Sequence, residues 1–370
     1  MMTMTKRFWL SQIPLACAAA TLHAQSGFDF GARVAPQFHS YTIDAPSNIK
    51  ISEFAVPLYV VVPFGSTFSL DVGTSYAQSR VEQTALGKTS TSTISGLTDT
   101  QVRGNYVIGN DFIVLTAGVN IPTGQSTVPE SKLLAASLIG SDFLAFPISN
   151  MGTGFGGTGG IALARPIGDW NLGVGVSIRR SAQYDPFELA GGAALHYQPG
   201  NEYRARIGLD RAVGTGRATF GVTYSAFGDD QLAGSVYNTG DRYLSQFGFN
   251  NTLGVGQLSI GAWDLFRSAG TLADGTALDH ENIASGTLAY GVAIGSATIE
   301  PNVEGRTWMQ PGASTSMIGT FGLRSQIALG GMSVLPSVGF SVGKIAAQEN
   351  ALSTTATLTG FHASLAIRLR

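Results

Sequence analysis

Apolar and polar residues alternate one by one through most of this chain. From Phe361 to Leu369 the odd positions are Phe361, Ala363, Leu365, Ile367 and Leu369, and the even ones His362, Ser364, Ala366 and Arg368. Successive side chains of a strand point to opposite faces, so this is a strand with one apolar and one mostly polar face. The same period recurs from Phe28, Phe30, Ala32 and Val34 onward. It is clear in Trp170, Leu172, Val174, Val176 and Ile178, in Tyr203, Ala205, Ile207 and Leu209, and in Ile299, Pro301 and Val303.

Two sizes of spacer separate the strands. Tight ones at Pro63–Ser66, Gly109-Asn110, Gly168-Asp169, Gly214–Gly216, Gly254–Gly256, Gly295-Ser296 and Gly330-Gly331 carry the residues that hairpin turns need for positive φ. Longer ones are expected near 42–48, 81–96, 123–153, 183–200, 229–240, 268–281, 310–315 and 346–354. Short and long spacers take turns, as in transmembrane barrels with short turns at one rim and longer loops at the other. Parity tests the count. A strand at 188–198 would make seventeen, whereas bacterial barrels have even numbers. Reading 183–200 as one loop, with Pro186, Gly191, Gly192 and Pro199-Gly200 in it, gives sixteen; fourteen is the alternative. The expected fold is all-β: one antiparallel transmembrane barrel over 25–370.

Composition separates this barrel from a soluble sandwich with the same alternation. Charged residues are 12% of the 370, about half the usual share of roughly 25%, while apolar residues are an ordinary 44%. Gly, Ser, Thr and Asn fill the polar faces, and Lys occurs five times. A barrel whose outer face meets lipid needs no charged surface. The formal charge of −2 argues against a nucleic-acid partner. Past the start no apolar run reaches the roughly 18 residues of a helical span. At the start, Lys6 and Arg7, the apolar run Ile13–Ala20 and the small residue ending Leu22-His23-Ala24 are in signal-peptide order, so 1–24 is expected to be cleaved on export to the bacterial outer membrane. The single Cys, Cys17, would leave with it.

The stretch Leu97–Gly124, LTDTQVRGNYVIGNDFIVLTAGVNIPTG, opens a strand on a Thr/Asp pair, turns tightly, and closes the next strand on Pro122-Thr123-Gly124. It resembles a family of outer-membrane channels, the transporters linked to the meta-pathway of phenol degradation. Met151–Arg180 continues the similarity less closely. The resemblance covers about 60 residues and implies passage of small, aromatic or hydrophobic compounds.

Candidate chemistry lies on the inward face. Charge on the lipid face costs about 2–4 kcal/mol for a mid-membrane Arg or Lys, so the charged positions of the strands should turn inward. These are Arg33, Arg103, Arg179, Arg204, Arg206, Arg306, Arg324 and Arg368, with Asp29, Asp71, Asp210, Glu300 and Glu304. They would either pair and stiffen the wall or touch the permeant. The 123–153 loop is long enough to be functional. It has a helix-like patch, Pro129–Ile139, including Leu133 and Leu134, and then the apolar Phe143–Pro147, with Phe143 and Phe146. Such a loop is expected to fold into the barrel mouth, where it would constrict the pore or form an apolar binding patch, or else to pack on the inner wall or contact lipid or a partner outside.

No catalytic site, metal or cofactor is expected. Gly154–Gly159 fits a dinucleotide-loop pattern by letters but has no strand before it or amphipathic helix after it. His39, His196, His280 and His362 have no metal-ligand spacing, and Asp229-Asp230 alone is too little for calcium. His362 and Ser364 share a strand face, but no acid near them in sequence could orient the histidine. The expected function is passive passage of small solutes, in contact with outer-membrane lipid. The alternatives are a plugged barrel serving as structural or partner scaffold and, third, an outer-membrane lipid hydrolase. The sequence leaves monomer or oligomer open.

Overall fold

The computed structural model describes residues 31–44, 48–109, 112–188, 195–349 and 352–369. The expected segment 1–24 and Asp29 lie outside these residues. Sixteen strands form the barrel, two of them broken once. They are β1 (Gly31–Val34 continued by Gln37–Asp44), β2 (Asn48–Phe64), β3 (Phe68–Ala85), β4 (Lys88–Leu97 continued by Thr100–Ile108), β5 (Ile113–Ile121), β6 (Gly156–Ile167), β7 (Trp170–Ser181), β8 (Glu202–Val213), β9 (Gly216–Phe227), β10 (Arg242–Leu253), β11 (Gly256–Arg267), β12 (Glu281–Ile294), β13 (Ala297–Met309), β14 (Ser316–Leu329), β15 (Met332–Glu349) and β16 (Leu352–Leu369). Each strand pairs antiparallel with the next. The sheet closes where β1 meets β16, with Arg33 opposite Arg368 and His39 opposite His362. Closure leaves no unpaired edge, the condition for a sheet to cross a membrane.

Turn chemistry sets the two rims. The turns at 168, 214, 254, 295 and 330 each place a glycine at φ between 57° and 60°, on one rim. The loops after β5, β7, β9, β11 and β13 all leave from the other. The connection at 183–200 joins β7 to β8, as parity required, and its Gly191 and Gly192 lie outside the described residues.

The outer face is a belt of large apolar side chains, among them Val176, Ile207, Phe220, Phe247, Phe321 and Phe340, all exposed. Aromatic residues mark the rims. At the tight-turn rim the Arg211 guanidinium sits 5.5 Å over the Trp170 ring and bonds Asp169 at 3.2 Å. An exposed apolar belt of this size on a closed sheet defines a transmembrane barrel.

Two expected loops are strands. Residues 81–96 continue β3 and β4 around a tight turn at Leu86-Gly87, and β15 and β16 run on to Glu349 and from Leu352. Their Ser and Thr content suggested loops. Thr is β-branched and favours strands. The inward residues Val81 and Ile94 are also buried, which gives the β3–β4 extension a face to pack.

Candidate functional site

The buried apolar core lies inside the barrel, in its long-loop half. The segment 122–155 between β5 and β6 folds into the lumen. Its middle is a 3-10 turn, Glu130–Lys132, followed by α1, Leu133–Ile139. Ala135, Ile139, Phe143, Leu144, Phe146 and Met151 are buried against inward residues such as Ile51, Val81, Ile94, Ile283, Ile318 and Leu358. Those wall residues come from β2–β4, β12, β14 and β16. The Phe146 ring meets Tyr41 of β1 edge-on at 5.5 Å. Tyr41 lies over Gly360, where an added Cβ would come 2.5 Å from the ring, so only glycine gives that ring its seat.

Polar tethers hold the loop as well. Glu53, on the inner face of β2, is fully buried. Its carboxylate accepts from the Ser79 hydroxyl at 2.8 Å and from the Ile148 N–H at 2.9 Å. The Arg306 guanidinium donates to the Phe143 carbonyl at 2.8 Å, and Arg267 pairs with Asp142 at 3.2 Å. At the loop's two ends Asp99 accepts from Gly124 N–H at 3.1 Å and Thr153 N–H at 2.6 Å. The loop is tied to the next one too, where Thr127 donates to the Asp185 carbonyl at 2.7 Å. Tyr184 of that second loop covers Gly154, and burial pushes its hydroxyl up to about 12, so it stays neutral.

Of the expected constriction residues, Phe143 and Phe146 face the wall, Leu133 is half-buried, and Leu134 is the exposed one. The expected inward charges within the described residues all lie on the lumen face. Most are paired: Asp71 with Arg103 at 3.2 Å, Glu300 with Arg324 at 2.7 Å, Glu304 with Arg306 at 2.7 Å, and Arg204 with Glu202 at 2.5 Å. Asp210 binds Arg217 at 2.6 Å and the Asn171 amide at 3.1 Å. Arg179 donates to the Thr153 hydroxyl at 3.3 Å. Arg33 and Arg206 make no ion pair among the described residues.

Sequence reasoning missed Glu53, Glu202, Arg217, Arg242, Arg267 and Glu281. Arg217 follows from carrying the β9 alternation of Thr219, Gly221 and Thr223 back by two positions. Arg242, Arg267 and Glu281 sit at strand ends beside long loops, where alternation stops being visible.

The loop fills one side of the lumen. The wall from β7 to β10 stays outside the packed cluster. There, Gly208 and Gly221 face each other in register on the inner face, between Arg206 and Asp210. A Cβ on either would meet only a backbone carbonyl, at 3.7 Å. That space is open. His362 and Ser364 also face the lumen: His362 stacks on His39 at 5.4 Å, and Ser364 shares a 2.8 Å hydrogen bond with Ser337.

No family model matches the sequence, and no curated protein matches it either. Solved structures similar to it include the anion-selective porin from Comamonas acidovorans, at 13% identity over 93% of this chain and 99% of that one, TM-score 0.45. Another is the outer membrane protein opdK from Pseudomonas aeruginosa, at 8% identity over 92% and 100%, TM-score 0.43. An outer membrane channel from Pseudomonas putida is similar at 11% identity over 94% and 96%, TM-score 0.38. The barrel assignment stands on this chain's own strand pairing and apolar belt.

Proposed function

We propose that this chain is a bacterial outer-membrane channel for the passive passage of small solutes, narrowed by its own 122–155 segment. One observation carries the reading: the inward glycines Gly208 and Gly221 look onto open space on a stretch of polar wall outside the inserted loop's packed cluster. Sixteen strands enclose a lumen wide enough for water, and the loop removes part of that width. No bond-making step belongs to this function. Ser364 and His362 lie on the lumen side, away from lipid, and bond to Ser337 and stack on His39.

Aromatic or hydrophobic permeants, which the family resemblance implies, would need apolar groups on the open side. The loop's Phe143 and Phe146 are committed to the wall instead, and polar solutes suit the open side better.

Single-channel recording of the refolded full chain in a planar bilayer tests the reading. A steady conductance is expected, and a variant lacking residues 130–149 should conduct several-fold more. Silence from both proteins would overturn the channel and favour the scaffold. A bulky side chain on the open side should act in the opposite direction: Gly221→Trp places its ring in free space and is expected to lower conductance severalfold. Heat-modifiable gel mobility should show the barrel of that variant intact.

A further inference from the structure

Once the lumen's acids are matched to their arginines, a surplus of positive charge is left on one stretch of wall. Among the described strands, the inward acids Asp71, Glu202, Asp210, Glu281, Glu300 and Glu304 each bind an arginine, and Glu53 is enclosed by Ser79 and the Ile148 N–H under the loop. Beyond these pairs, Arg33 and Arg368 face each other at the β1–β16 closure, and Arg179, Arg206 and Arg242 lie together on β7–β10, outside the loop's packed cluster. In register, Arg179 of β7 stands opposite Glu202 of β8, whose carboxylate is already bonded to Arg204. Arg204 stands opposite Ser225, and Ser225 opposite Arg242. Along these strands one carboxylate therefore lies among three guanidiniums, and Asp99 meets Arg179 only through the Thr153 hydroxyl, which donates to Asp99 at 3.5 Å and accepts from Arg179 at 3.3 Å. Arg242 also feels Asp142 and Glu281, which it shares with Arg267, so it is the least free of the group. Arg206 lies two residues nearer the tight-turn rim, about 7 Å along the strand. Its cross-strand neighbours are Gly175 and Thr223, and no acid pairs with it among the described residues.

We propose that this wall makes the channel selective for small anions, with carboxylates as the solutes it fits best. This rests on the open-channel reading. Charged rings and clusters lining a pore select by sign, because low-dielectric walls focus their field into the lumen. Guanidinium adds shape: its planar fork matches a carboxylate with two parallel hydrogen bonds. Arg179 and Arg206 keep donors to offer, and the side-chain-free Gly175 and Gly208 leave room for a solute to come alongside. Screening over about 10 Å at 0.1 M salt implies that the preference is strongest in dilute salt.

The experiment is the reversal potential of the full chain in a planar bilayer under a KCl gradient, repeated with acetate replacing chloride. Chloride should permeate several-fold better than potassium, and acetate should carry current and slow chloride by competing for the wall. The pair Arg179→Gln/Arg206→Gln should lower the chloride preference several-fold, whereas Arg179→Lys/Arg206→Lys should keep it and weaken only the effect of acetate. Arg211→Gln, at the outer surface of the tight-turn rim, should change nothing. A conducting channel that prefers potassium, or one whose preference ignores the glutamine pair, would overturn the anion wall and leave the channel standing. Silence in both the full chain and the loop-deleted protein would overturn both.

Discussion

Glu53→Ala is expected to raise the frequency of brief, larger-amplitude openings about tenfold while leaving the mean conductance nearly unchanged. The carboxylate of Glu53 joins the β2–β3 wall to the inserted segment, through the Ser79 hydroxyl and the Ile148 N–H. Removing it leaves that half-buried N–H without its acceptor, at a cost of about 1–3 kcal/mol. A factor of ten is about 1.4 kcal/mol, so the loss of this tether suffices for the change in frequency. It does not suffice to expel the loop. Ile139, Phe143, Leu144 and Phe146 are buried on the wall, each worth about 1.5–3 kcal/mol. Arg306 and Arg267 hold the turn at Asp142-Phe143 separately. The mean state therefore stays narrowed, and only deletion of 130–149 widens it permanently. Adding Arg306→Ala to Glu53→Ala should raise the opening frequency further, because the Phe143 carbonyl then loses its donor too. An unchanged opening record in the double variant would mean that the loop is held by apolar packing alone.

The strands were legible because each face of a membrane barrel meets a different medium. The outer face must be apolar and the lumen face is polar, so the alternation survives in β7, β8, β13 and β16 almost without interruption. It fails where a third environment intrudes. Over β2, NIKISEFAVPLYVVVPF, Ile51 and Ala55 face inward yet are apolar, because the inserted loop makes the inside of the barrel an oily core there. Glu53 stands between them and reads as a stray charge. Its role depends on the Ile148 N–H, 95 residues away along the chain, and no local pattern reports such a contact. The same intrusion lengthened β3 and β4: Val81 and Ile94 become core residues, and the Thr-rich stretch between them is held as strand. The lumen arginines were legible by parity, but their pairing was not. Whether Arg206 or Arg204 holds an acid depends on Glu202 at the end of the strand, next to the second long loop, where the alternation fades.

Two adjacent residues of β8 separate the lipid-facing barrel from any soluble alternative. Ile207 points outward in the middle of a strand that runs from Glu202 to Val213, and Arg206 points into the lumen. Ile207→Arg is expected to cost about 2–4 kcal/mol of folding stability in phospholipid vesicles, since it places a charge on the lipid face near the bilayer midplane. That is a fall of roughly 30- to 1,000-fold in the folding equilibrium, measurable by urea titration of refolding followed by gel mobility. Arg206→Ile makes the reverse change one residue away. It removes a lumen charge that has no acid partner, so stability should move by less than about 0.5 kcal/mol, the range of an ordinary surface change. Its effect should fall on ion preference instead. On a barrel whose outer face met water, Ile207→Arg would be an exposed polar substitution with a similarly small effect. A neutral Ile207→Arg would therefore remove the lipid from around the barrel, and with it the channel. A large loss at 207 beside tolerance at 206 can arise only if the two faces of one strand meet hydrocarbon and water.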